Sequence, residues 1–221
     1  LDTLYRRRLS GANARLLARI QVVFARLFDP GDPNTSLAAV GAVVAGWVAA
    51  GQAGFGQETA NYLRALVAQA MGVRPDLVDP FPVPDGLVGV MDSGAPLTSL
   101  SESAPATYWA RIGAGLGEAV AAQAAQAWLN SVAGSEPFRV ANATTTGNAE
   151  ADPRFTGRVI RLTRPGACEF CRTIADRGYI PAHAGFAAHR NCHCTPSPEI
   201  SKHVTSRQAV ARGRRALEQQ P

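Results

Sequence analysis

Four cysteines, Cys168, Cys171, Cys192 and Cys194, fall within one 27-residue window of a 221-residue chain, and three of its four histidines, His183, His189 and His193, join them there. Cysteines used only for packing scatter along a sequence, whereas a cluster of this kind holds a metal, a redox pair or disulfides. The order is Cys168-Glu-Phe-Cys171, then twenty residues, then Cys192-His-Cys194, with His189 three residues ahead of Cys192. A Cys-x-x-Cys turn lets two thiolates reach one tetrahedral cation, and a second cluster closes the shell and staples the loop between. Five donors compete for four places: Cys168, Cys171, His189, Cys192 and Cys194. The expected site is a structural zinc held by three or four thiolates, with His189 either the fourth ligand or its hydrogen-bonding neighbour. Such an ion holds a fold instead of driving a reaction, because four protein ligands leave no open position. Its binding then becomes folding free energy, of order 10 kcal/mol apparent. His183 and His193 are weaker candidates, and His203 reads as a surface residue.

Other chemistries fit less well. A thioredoxin-like redox pair at Cys168 and Cys171 lacks the surrounding strand–helix pattern. Disulfides suit an oxidising compartment, and the opening residues show no charged–apolar–small secretory pattern, so a reducing compartment is the expectation. The sequence has no His-Glu-x-x-His helix, no phosphate-binding glycine–lysine loop and no nucleophile elbow. His189, Asn191 and His193 sit too close together for a nuclease that draws its His and Asn from separate elements. Glu169 reads as a solvated carboxylate in a first helical turn. The chain is expected not to be an enzyme.

The elements that must position this cluster follow from periodicity. Leu4 to Phe28 reads as a long amphipathic helix, with Leu9, Leu16, Leu17, Ile20, Val23, Phe24 and Leu27 apolar and arginines over much of the remaining surface. Asp29-Pro30-Gly31-Asp32-Pro33 is a stop and a turn, Ser36 is a possible cap for the next helix, and Gly72 is placed to end it. Leu37 to Phe55 has no charged residue over 19 positions. Its four glycines, many alanines and lack of basic flanks favour a buried helix packed through small residues over a membrane span. Residues 74–106, with prolines at 75, 80, 82, 84, 96 and 105, read as a long irregular loop. Helical spacing returns from Thr107 to Val132, with Trp109, Ile112, Leu116, Val120 and Trp128 as expected core positions. Gly113-Ala-Gly115-Leu-Gly117 has the wrong spacing for a dinucleotide fingerprint and reads as a close helix–helix contact.

The expected architecture is therefore mainly α: a helical domain over 1–133, a polar linker over 134–152, a small α+β Cys/His module over 153–200 and a basic tail over 201–221. Within the module, Gly157 to Leu162 reads as a strand, Glu169 to Asp176 as a short helix and Gly178 to Ile180 as a second strand. Ser206 to Gln219 reads as a basic surface helix or frayed tail. With 46% hydrophobic and 18% charged residues, the composition excludes wholesale disorder. The net charge of +5 is uneven: residues 1–151 carry 10 basic and 12 acidic residues, and residues 152–221 carry 12 basic and 5 acidic ones. A basic back end suits nucleic acid or an acidic protein surface, or simply solvates a face.

The run Gly157-Arg-Val-Ile-Arg-Leu-Thr-Arg-Pro-Gly-Ala-Cys168-Glu-Phe-Cys171, with Arg177-Gly178-Tyr179 and Phe186-Ala-Ala-His189-Arg-Asn-Cys192-His-Cys194-Thr-Pro196, resembles the C-terminal module of phage Mu F-like minor head proteins, in the form found in phages of actinobacteria. The front half is loosely similar through its arginine-rich first helix, Val48-Ala-Ala-Gly51-Gln52 and Tyr62-Leu63. The resemblance implies a virion structural protein at or near the portal, present in few copies, supporting head assembly or DNA packaging and ejection. Its implied partners are the portal protein and capsid interior, with packaged DNA reached through the basic C-terminal region and no membrane. Its implied location is the virion head, and the host cytoplasm during assembly. Some members are labelled capsid maturation proteases, but no protease arrangement is present here to carry that activity over. The rivals are a zinc-ribbon-like nucleic-acid-binding protein and a metal-dependent hydrolase.

Overall fold

The computed structural model describes residues 1–164, 166–186 and 193–205. It is helical through the front, with α1 (Asp2–Leu27), α2 (Pro33–Met71), α3 (Leu100–Gly113) and α4 (Glu118–Ala151). A small α+β portion follows: β1 (Phe155–Leu162), α5 (Glu169–Asp176), β2 (Ile180–Pro181), β3 (Thr195–Ile200) and α6 (Lys202–Thr205). The mainly helical front and small mixed back agree with the sequence reading. The chain divides into two compact units, and α1, α2 and α4 each contribute to both.

One unit comprises Arg8–Phe55 and Asp85–Val140. Its core joins Ile20 and Phe24 of α1, Val40, Val44 and Val48 of α2, Leu100, Ala104 and Tyr108 of α3, and Leu129 of α4. α1 stops where predicted: the Asp29 carboxylate accepts the Gly31 N–H at 2.8 Å, forming a tight turn. The cap of α2 is Asp32 and not Ser36, because Asp32 Oδ1 accepts the Thr35 N–H at 3.2 Å and Pro33 occupies the first helical position, where a missing donor costs nothing. The Ser36 hydroxyl instead donates back to the Asp29 carbonyl.

α2 is long and apolar enough to cross a membrane by length and composition. In this structure Leu37, Val40, Val44 and Val48 are fully buried within the chain's own core. Packing through small residues occurs at two of its glycines: a Cβ on Gly41 would lie 2.4 Å from the Leu100 carbonyl oxygen, and one on Gly51 would lie 3.2 Å from Pro137. Gly46 and Gly54 face open space.

Three expectations are corrected in this unit. The irregular stretch is shorter than 74–106, because α3 begins at Leu100 and carries Pro105 within it. Gly113 to Gly117 is the turn between α3 and α4, with Gly115 at φ +80° and nothing within 4 Å of a Cβ at any of the three glycines, so it is no helix–helix contact. That break resets the helical phase for Leu116 and Val120, and Trp109 lies off the α3 face that Leu100, Ala104 and Tyr108 bury, so the three are 41%, 48% and 45% exposed instead of buried. Ile112 and Trp128 do pack against the core.

The other unit comprises Leu1–Arg7, Gly56–Pro84 and the chain from Ala141 onward. The expected linker at 134–152 is helix: α4 runs unbroken to Ala151. Its polar residues tolerate this because their side chains bond back along the helix: Thr145 Oγ1 donates to the Ala141 carbonyl at 3.2 Å and Asn148 Nδ2 to the Thr144 carbonyl at 2.7 Å. The sheet has order β2-β1-β3 and is antiparallel, with Val159 opposite Ile180 on one side and Pro198 on the other. β1 shifts register between Phe155 and Val159, where Gly157 adopts φ +74°, a conformation only glycine takes without strain. β3 had no counterpart in the sequence reading. The first turn of α1 joins this unit: Tyr5 stacks on Tyr62 at 4.2 Å, and the Tyr62 hydroxyl donates to Asp2 at 2.8 Å and lies 2.6 Å from the Ser197 hydroxyl.

Candidate metal centre

The cysteine cluster is assembled by the turn from β1 into α5 and by the entry to β3. Cys168 is the N-cap of α5, with extended backbone (φ −65°, ψ 163°), and is exposed. Cys171 lies one turn later and is buried. A Cys-x-x-Cys pair across a helix N-terminus puts both sulfurs near unsatisfied N–H groups and the positive end of the helix dipole, which favours thiolates. Cys194 immediately precedes β3, is equally buried and packs with Cys171 in one cluster flanked by Ala167 and Phe186. No disulfide joins Cys168, Cys171 and Cys194 to one another.

Beside them lies Arg161, a residue that belongs to no metal-binding motif. Arg161 of β1 is only 4% exposed, its guanidinium sits 3.9 Å over the Phe186 ring, and its Nη1 approaches Cys171 Sγ at 3.8 Å. A usable signal existed. β1 alternates, and Arg161 is two residues from the fully buried Val159, so a strict period of two puts both on the inner face.

Of the five expected donors, Cys168, Cys171 and Cys194 lie close together. His189 and Cys192 fall outside the described residues. Among the described residues, no set of three or more His, Cys, Asp or Glu side chains forms a metal-holding group. The donor chemistry nonetheless suits a soft divalent ion: two buried thiols, a third at a helix N-terminus, and a fixed cation to offset thiolate charge. His183 is exposed on the turn Ala182–Ala184, His203 is exposed on α6, and His193 is half-buried next to Cys194. Glu169 is exposed in the first turn of α5, as expected.

The basic character of the module is partly consumed internally. Arg154 pairs with Asp152 at 2.6 Å, which holds the Asp152 carboxyl below the usual carboxylate range. Arg158 pairs with Glu199 at 3.4 Å and lies over the Tyr179 ring. The predicted tail helix Ser206 to Gln219 falls outside the described residues.

A family model described as VG15 protein matches residues 99–213, just over half of the chain, and that span includes α3, α4, the whole sheet and all four cysteines. No curated protein and no solved structure matches.

Proposed function

The chain belongs to the VG15 protein family, and from that premise we propose that it is a virion structural protein, a portal-associated minor capsid protein of Mu F-like type whose back module is held by a structural zinc. The observation that carries this reading is local. The Mu F-like resemblance rests on Gly157–Cys171, Arg177–Tyr179 and Phe186–Pro196, and the described residues among them belong to one small sheet-and-helix module in which Cys168, Cys171 and Cys194 lie close together. Cys168, Cys171 and Cys194, with His189 or Cys192 completing the set, would hold the ion. When bound, zinc supplies a rigid tetrahedral crosslink and no reactive position. The protein's part is to present β1 and α5 in fixed register and to shield the thiolates with Phe186 and Arg161. The role is non-catalytic. Its partners are the portal protein and the capsid interior, with packaged DNA as a further contact. A membrane partner is not proposed, because much of the apolar side of α2 already serves the core.

Quantitative mass spectrometry of purified particles, comparing this chain with the portal and major capsid proteins, tests the reading. A copy number close to that of the portal supports it. Absence from particles, with abundant protein in the infected cell, removes the structural role and leaves a zinc-binding nucleic-acid regulator as the better account.

A further inference from the structure

Charge in the front of the chain is segregated by element. Residues 1–28 carry six arginines and one acidic residue, Asp2, whereas residues 29–151 carry four arginines and eleven acidic residues. The near-neutral total over 1–151 therefore hides a helix of net +5 against a remainder of net −7.

The placement of the arginines is ordered. Arg8, Arg15, Arg19 and Arg26 are all exposed, and at about 100° per residue they fall within about 40° of one another around the helix. At 1.5 Å per residue the line runs about 27 Å. It occupies a different face from Leu9, Leu16, Ile20 and Phe24, which are buried. Among the described residues, no ion pair or side-chain hydrogen bond engages the guanidinium of Arg15, Arg19 or Arg26. Like charges spaced four and seven residues apart repel along a helix, so the arrangement favours an external polyanion over self-stabilisation.

Three features choose the polyanion. Planar guanidinium forks match phosphate oxygens two at a time. A lipid surface would need a continuous apolar stripe beside the cations, but the exposed apolar residues nearest this line, Leu4 and Val22, stand at opposite ends of the helix, and the continuous stripe is buried. A single strand would need exposed aromatic rings for base stacking, and α1 shows none: Tyr5 and Phe24 are buried and Phe28 is half-buried beyond its end. We propose that the arginine line of α1 is a track for the phosphate backbone of duplex nucleic acid, read without sequence preference. This site is separate from the basic C-terminal region and does not depend on the virion role or the zinc.

The test is fluorescence anisotropy of a labelled 30-base-pair DNA of arbitrary sequence with the full chain, over a salt series. The expected result is binding whose log K falls linearly with log salt. The variant R15Q/R19Q/R26Q should bind at least tenfold more weakly at low salt, with the slope reduced by about 3, since each phosphate contact contributes roughly 0.9. Circular dichroism melting checks that the variant folds. Should it not, arginine-selective modification of the unaltered chain with and without DNA reads the same surface, with protection expected at Arg15, Arg19 and Arg26. Loss of binding only in R212Q/R214Q/R215Q would move the contact to the tail and overturn the proposal. Binding to anionic vesicles but not to DNA, preference for single strands, or no binding at low salt would overturn it as well.

Discussion

Arg161 brings a permanent positive charge to 3.8 Å from the sulfur of Cys171, where both residues are almost fully removed from water. A cation in such a place stabilises negative charge on sulfur, and a metal-bound thiolate cluster carries that charge at neutral pH. The first prediction is compositional: protein purified under reducing conditions contains about one zinc per chain by elemental analysis. Cys171→Ser and Cys194→Ser should lose the metal and melt at a markedly lower temperature, and a chelator should bring the unaltered chain down to their level. A metal-free protein with Cys171→Ser neutral in stability would sink the zinc. The second prediction concerns the neighbour. Arg161→Gln should keep zinc stoichiometry but release the ion to a chromophoric chelator with affinity lowered about 10-fold or more, the usual size of an effect from a group that supports a ligand.

Helices packed through glycine can be separated from helices that merely contain glycine. Gly41→Ala places a methyl group 2.4 Å from the Leu100 carbonyl oxygen, a backbone atom that cannot step aside. Its expected cost is about 1–3 kcal/mol in urea unfolding. Gly46→Ala and Gly54→Ala meet nothing and should stabilise α2 by about 0.5–1 kcal/mol through helix propensity alone. Equal effects at all three positions would contradict the α2–α3 contact. The loop before α3 is tied down differently. Fully buried Gln52 accepts the Gly89 N–H at 2.8 Å and donates to the Val90 carbonyl at 2.9 Å, while Glu136 accepts the Asp92 N–H at 3.0 Å and pairs with Arg139 at 2.8 Å. Arg139→Met leaves the Glu136 carboxylate buried without its counter-charge, so we expect a loss of about 3 kcal/mol or more, against about 1–3 kcal/mol for Gln52→Leu. Denaturant midpoints at constant slope measure both.

Stability should depend on pH at both ends of the scale. Burial holds the Tyr5 and Tyr62 phenols well above their ordinary value, outweighing the hydrogen bonds to Thr59 and Ser197 that act the other way. A raised value in the folded state means that this contribution is complete below the unfolded value of about 10 and is lost as pH rises beyond it. Asp152 behaves in the opposite sense, since the hydrogen bond from Arg154 depresses its carboxyl. Its contribution is present above the unfolded value of about 3.9 and is lost as pH falls through the lower folded value. The expected profile is a plateau through neutral pH with an alkaline fall above about 10. Tyr62→Phe, less stable at pH 8 through its lost hydrogen bonds to Asp2 and Ser197, should lose less than the unaltered chain between about pH 8 and 11. An alkaline fall identical in both would show that the Tyr62 phenol does not control it.

Much of this protein is legible locally. The stop at Asp29–Gly31, the end of α2 at Gly72, the strand through Val159 and the helix Glu169–Asp176 all follow from signals that act within a few residues: caps, turn chemistry, positive-φ glycine and periodicity. The misses share another cause. Thr195-Pro-Ser-Pro198 reads against a strand because two prolines lack donors, yet placed two apart both missing N–H groups fall on one side, and an edge strand leaves one side unpaired. Thr144 to Asn148 reads as loop because these residues compete for backbone hydrogen bonds, and only burial against the rest of their unit keeps that competition inside the helix. Arg161 is an ordinary strand arginine until the Phe186 ring lies against its guanidinium and Cys171 packs beside it. Local free energies of a fraction of a kcal/mol decide where elements start and stop. Which polar group finds its partner across a hundred residues, as Tyr62 finds Ser197, depends on closure of the whole chain, and only the folded molecule carries that information.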